Sequence, residues 1–185
     1  MSYAPHPEGL RSAFHAERFT SEETPLQFTL VEAGRLAVGS GKVAAGDPQS
    51  EEPLAPFTQC VPQGEYSVTL AMANERLAYA RVLIDAAADA VHWYPALTAD
   101  QDARTLQPGE TFGYAVQSGS ACFASDGNTV SFAATPSEAR HASYFGYDSA
   151  GRVVALVTDF GVLPAVHSAP LPRRNWWQRL LSIFK

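Results

Sequence analysis

Residues 64 to 84 read Gly64-Glu65-Tyr66-Ser67-Val68-Thr69-Leu70-Ala71-Met72-Ala73-Asn74-Glu75-Arg76-Leu77-Ala78-Tyr79-Ala80-Arg81-Val82-Leu83-Ile84. Tyr66, Val68 and Leu70 alternate with Glu65, Ser67 and Thr69, the period of two that places one face of a strand on a core and the other in water. Asn74-Glu75 is a turn, and Leu77, Tyr79, Arg81 and Leu83 then alternate with Ala78, Ala80, Val82 and Ile84. Two hairpinned strands follow, and they set the fold class: antiparallel β, with two sheets packed on each other.

Upstream, Leu26, Phe28 and Leu30 keep the same period until Gly34, which is expected to end that strand. Leu36 to Val38 and Val43-Ala44 flank Gly39-Ser40-Gly41 and read as a further hairpin, and the proline-rich stretch from Asp47 to Pro56 reads as a loop. Leu10 and Phe14, four apart, predict a short helix within Glu8 to Arg18. Downstream, strands are expected at Val91 to Tyr94, Thr111 to Val116, Val130 to Ala133, Tyr144 to Tyr147 and Val153 to Phe160, the last two joined by Asp148-Ser149-Ala150-Gly151. Ala86 to Val91 reads as a helical turn. Thr98 with Gln101, and Thr135-Pro136-Ser137-Glu138, have capping-box spacing and predict two short helices.

After Pro170-Leu171-Pro172 the pattern changes. Trp176, Trp177, Leu180, Leu181 and Phe184 fall at helical spacing among Arg173, Arg174, Arg179 and Lys185. Residues 1–170 are thus read as one β-rich domain and 171–185 as a basic amphipathic helix docked on it; a lipid surface or a partner groove is the alternative seat. No apolar run approaches the ~20 residues that cross a bilayer, so stable membrane insertion is not expected.

The chain has 185 residues, 46% of them apolar, enough for the core of one domain. Its 13 Lys+Arg against 19 Asp+Glu give a net charge of -6, and the four cations of residues 171–185 leave -10 for the remainder. Val43 to Glu75 holds five acids and no Lys or Arg; Val82 to Ala139 holds seven acids against Arg104. Such a surface repels phosphate backbones and excludes direct nucleic-acid binding, while favouring a basic protein partner. The opening Met-Ser-Tyr-Ala-Pro-His lacks the basic and apolar regions of a secretory signal, and two cysteines form no scaffold; a reducing cytoplasm is expected.

Chemistry-bearing motifs are scarce. His6, His15, His92, His141 and His167 fall at no metal-binding spacing, and neither a metal nor another cofactor is expected. No Gly-x-Ser-x-Gly elbow occurs. The nearest approach to a catalytic loop is Gln117-Ser118-Gly119-Ser120-Ala121-Cys122-Phe123, where Cys122 could serve as nucleophile if His141 met it and the Ser118-Gly119 amides formed an oxyanion hole. Without a local base or helix N-terminus, a buried thiol is the plainer reading.

Several segments together resemble a bacterial family known as domain of unknown function 4241. They are Val43-Ala44-Ala45-Gly46-Asp47-Pro48; Val61-Pro62, Gly64, Tyr66 and Val68; Tyr79-Ala80-Arg81; Gly113-Tyr114-Ala115-Val116, Ser118-Gly119 and Cys122-Phe123; and Gly146-Tyr147-Asp148 followed by Gly151-Arg152-Val153-Val154-Ala155-Leu156-Val157 and Asp159-Phe160. Two places depart from it: Gln117 stands where the family commonly has an acid, and Ala134 to Arg140 replaces a Gly-rich acidic segment. The resemblance implies a protein encoded beside polymorphic toxins, similar to the immunity partner of a type VI secretion DNase effector. Such a protein neutralises a basic toxin by binding it and is not itself an enzyme. Its expected partner interface is Asp85, Asp89, Trp93, Tyr94, Asp100, Asp102 and Glu110, acids and aromatics of the Arg-poor block. A small-molecule enzyme built on the Ser118–Cys122 loop, or a membrane-peripheral scaffold, is the alternative.

Overall fold

The computed structural model describes residues 3–21, 24–107, 110–163 and 166–167. In chain order the elements are β1 (Tyr3–Ala4), α1 (Pro7–Phe14), β2 (Arg18–Ser21), β3 (Thr24–Val38), β4 (Ala44–Gly46), β5 (Gly64–Ala73), β6 (Arg76–Leu83), β7 (His92–Pro95), β8 (Tyr114–Val116), β9 (Ser120–Ser125), β10 (Asn128–Ala133), β11 (Ser137–Tyr147), β12 (Val153–Asp159) and β13 (Val166–His167). Every strand pair is antiparallel. The large sheet has the order β2-β3-β5-β6-β12-β11-β7, with β8 also on β11; a three-stranded sheet, β10-β9-β4, packs on it, and β1 pairs β13.

The two hairpins legible by alternation form the centre of the large sheet. Asn74 and Glu75 take φ of 45° and 68°, the doubly left-handed turn whose twist matches two antiparallel strands, and β5 and β6 pair along their length. Asp148 closes the β11–β12 turn by accepting from the amides of Ala150 and Arg152. One core lies between the sheets, around Leu36, Val68, Val82, Phe123, Phe145 and Leu156. A second lies on the far face under α1, where Leu10 and Ala13 meet Phe28, Tyr79, Val157 and Leu163.

Several expectations change. Gly34 does not end its strand: β3 runs through it with a register shift between Glu32 and Gly34. This bulge reverses parity, so Leu26 and Phe28 face the helix-side core while Leu36 and Val38 face the inter-sheet core. The Gly39-Ser40-Gly41 turn does not close a hairpin, because Asp126 accepts from the Gly39 and Ser40 amides and the chain crosses to the other sheet, where β4 pairs β9. The short helix expected within Glu8 to Arg18 does form, as α1, and Arg18 opens β2.

The capping box at Thr135 does not start a helix, since Ser137–Tyr147 is β11. A cap contributes about 1 kcal/mol, whereas burying Tyr144 and Phe145 contributes about 2 kcal/mol or more each, so the sheet wins. The Thr98 box survives as one bond, the Gln101 side chain accepting from the Thr98 amide, and the expected helix shrinks to a 3₁₀ turn at Ala103–Thr105. Residues 86–88 form a turn and bend and 89–91 no regular element, in place of the expected helical turn. The amphipathic helix expected at 171–185 lies outside the described residues.

Candidate functional site

Asp47 follows β4 directly and ends in the wall between the two sheets. Its residue is 6% exposed. One carboxylate oxygen accepts from the amides of Gln117 and Ser118, 2.8 Å each, and the other from the Ser118 hydroxyl at 2.6 Å and the Gln49 amide at 2.9 Å. Burial opposes ionisation here, but the hydrogen bonds, Ser118's hydroxyl foremost, outweigh it and hold the carboxyl at about 2. Two segments some seventy residues apart are thereby clamped: the loop from 47 to 56 and the turn between β8 and β9.

Beside this clamp opens a cleft of about 890 Å³, bounded by the 47–57 loop, the segment after β7, β8 and the start of β11. Asp47, Glu51, Glu52, Asp100 and Glu138 line it against a single cation, Arg140. Arg140 is tethered, its guanidinium donating to the Gly113 carbonyl at 2.9 Å. Asp100 accepts from the Thr98 hydroxyl, which lowers its pKa. Leu54, Ala55, Phe57 and Ala96 supply apolar wall. The result is a concave surface of one charge sign with an apolar patch, built from both acid-rich blocks of the chain.

Of the seven residues expected at an interface, only Asp100 lines this cleft. Asp102 sits on the same loop but is paired to the Arg104 guanidinium, whose hydrogen bonds hold it at about 2. Trp93 and Tyr94 are neighbours on β7 and therefore face opposite ways. Trp93 packs on the helix-side core, so close to Gly146 that a Cβ there would come within 2.8 Å of its ring. Tyr94 lies 5.3 Å from the Tyr147 ring. Asp85 follows β6, its amide donating to Val154. Asp89 is exposed, and Glu110 is exposed and accepts from the Gln107 amide. The cleft residues not singled out from sequence are Asp47, Glu51, Glu52, Glu138 and Arg140; their signals were the two acid blocks, the Asp47-Pro48 segment and the Ala134 to Arg140 departure from the family pattern.

The Ser118 to Cys122 loop does not have the geometry of an activated thiol. Cys122 is fully buried, and burial, with the Asp47 charge adding to it, pushes its pKa up to about 11. The Ser118 amide already donates to Asp47 and is not free for an oxyanion. His141 is buried, with burial lowering its pKa, and its Nε2 makes no hydrogen bond among the described residues. No group of three or more His, Cys, Asp or Glu placed to hold a metal occurs among the described residues, and no described helix is long and apolar enough to cross a membrane.

A family model described as protein of unknown function (DUF4241) matches residues 36–141, more than half of the chain. The matched span contains the Asp47 clamp and every cleft residue named above, and stops before the Gly146 to Phe160 segment. No curated protein and no solved structure matches the chain.

Proposed function

The chain belongs to the DUF4241 family, and from that premise we propose that it is a cytoplasmic immunity protein, one that binds and neutralises a cognate toxin, a type VI secretion DNase effector, by protein–protein contact. The observation that carries the reading is the cleft with five carboxylates and one tethered cation. A DNase needs a basic surface for the phosphate backbone, and a concave acidic surface complements it. Low-dielectric walls focus that field, so the cleft speeds encounter as well as holding the complex.

Preorganisation favours the same reading. The Asp47 clamp holds the loop that carries Glu51 and Glu52, so little ordering cost falls on association. Leu54 and Phe57 beside the acids offer an apolar anchor of the kind that dominates binding energy. The inhibitor needs no reacting group in this scheme.

The test is genetic first. The toxin-like product encoded beside this chain is expressed alone and together with it; lethality alone and survival together support the reading, and lethality in both overturns it. Glu51→Lys with Glu52→Lys, or Asp100→Lys with Glu138→Lys, is then expected to slow association about tenfold or more and to flatten its salt dependence. Unchanged kinetics would remove the cleft from the interface.

A further inference from the structure

Asp159, the last residue of β12, is 8% exposed and lies outside the cleft; unlike Asp148, the other buried carboxylate away from it, which pairs with Arg152, it has no described cation. It faces the layer covered by α1. Across the sheet its Cα partner is Tyr79 of β6, fully buried, whose hydroxyl makes no hydrogen bond among the described residues. Tyr144 of β11 is the other phenol beside it; burial, with the Asp159 charge adding to it, raises the pKa of both phenols. Asp159 accepts from the Gly161 amide at 2.8 Å and forms no ion pair with a described cation.

The cover above this cluster is thin. Phe14, the last residue of α1, lies 6.4 Å from the Tyr79 ring and stacks on the Arg81 guanidinium at 3.9 Å. Arg81, two residues from Tyr79 on β6, turns to Phe14, and its Nε makes no hydrogen bond among the described residues. The charged and titratable residues of α1 and its C-cap, Glu8, Arg11 and His15, are exposed and turn away. The turn that Asp159 starts at Gly161 carries Leu163 onto Gly9 of α1, so the carboxyl anchors the start of the strap from 161 to 163 that meets the helix.

We propose that Asp159 is a pH-responsive latch on α1: with the carboxyl protonated the helix and the 161–163 strap are closed over the sheet, and with it ionised they open. A carboxylate without a cation has to regain water, and α1 with Leu163 packs over the face of the sheet that carries it. Burial raises its pKa to about 7, which places the change in the neutral range. The direction follows from linkage. A carboxyl whose closed-state value lies above its solvated value of 3.8 binds its proton more tightly when closed, so closure is favoured below pH ~4 and weakens as pH rises to ~7.

Amide hydrogen exchange of the full chain, read by NMR as protection factors for α1, tests this. Between pH 5.5 and 8 the α1 protection is expected to fall roughly 30-fold, while amides of the β5–β6 hairpin stay as protected as before. Asp159→Asn is expected to abolish the fall. A flat profile in the wild-type chain, or an equal fall in Asp159→Asn, would overturn the latch. The side-chain carboxyl carbon of Asp159 in the wild-type chain gives a reading independent of the variant's folding: titration near neutrality supports the proposal, and titration below pH 5 sinks it.

Discussion

Asp47 and Asp159 are both buried aspartates at strand ends, 6% and 8% exposed, yet one is held at about 2 and the other raised to about 7. The difference lies in what meets the oxygens. Asp47 stands at the cleft among three amides and a hydroxyl that only the charged form can satisfy fully. Asp159 stands under α1 among two phenols, with one amide donor. Burial alone sets no sign on a carboxyl's stability; donor count does, because each charge-assisted bond offsets part of the desolvation cost. The cleft side of the molecule is thus stiffened by a charge and the helix side is loosened by one.

The largest effect expected is at the clamp. Asp47→Ala leaves the Gln49, Gln117 and Ser118 amides without their acceptor in a half-buried wall, and a loss of about 3–5 kcal/mol in urea unfolding is expected. A loss below about 1 kcal/mol would mean that the clamp is not what holds the 47–56 loop. Next in size is the opposite sign at the other aspartate. Asp159→Asn is expected to stabilise the chain by about 1–3 kcal/mol at pH 8 and to change little at pH 4, read by thermal melts at both values. Destabilisation at pH 8 would place a donor or cation at Asp159 and end the contrast.

How far the residues announced this arrangement depends on range. Alternation in Tyr66 to Leu70 and Leu77 to Ile84 is local, and so is the Asp148 turn, and both hairpins formed where the pattern placed them. The parity reversal of β3 was hidden because a bulge at Gly34 looks, along one strand, the same as a stop. At Thr135 a local cap competed with burial of residues 141 to 146 between strands on both sides, and no local pattern reveals that coverage. The site follows the same rule. Asp47-Pro48 and Ser118-Gly119 stood out as separate segments, but their meeting is a tertiary fact, and the cleft draws Glu51 and Glu52 from one acid block and Asp100 and Glu138 from the other. Trp93 and Tyr94 could not share one surface with Asp100 once the period of two put them on opposite faces.

Ser118→Ala sharpens the contrast by removing one donor from four. The expected loss is about 1.5–3 kcal/mol at pH 7, the range for a hydrogen bond to a charged group. Its pH dependence carries more information than its size. Because the folded value of Asp47 lies below 3.8, the charged contacts contribute fully above pH ~4 and fade as pH falls toward 2. The wild-type and Ser118→Ala stability curves, followed by urea unfolding from pH 7 down, are therefore expected to converge at the acid end. Parallel curves would assign the loss to packing of the hydroxyl rather than to the carboxylate.

The smallest expected effect supplies the control that both aspartates need. Glu65 also meets a strong donor, the Arg35 guanidinium, but the two side chains are 56% and 55% exposed. Water satisfies either partner when the other is removed, so Glu65→Gln is expected to change stability by less than about 0.5 kcal/mol and to fade further in high salt. The comparison rests on donors mattering only where water is excluded. A Glu65→Gln loss as large as that of Ser118→Ala would break it, since donor strength would then act regardless of burial, and the opposite behaviour of Asp47 and Asp159 would need a cause other than the number of donors each was buried with.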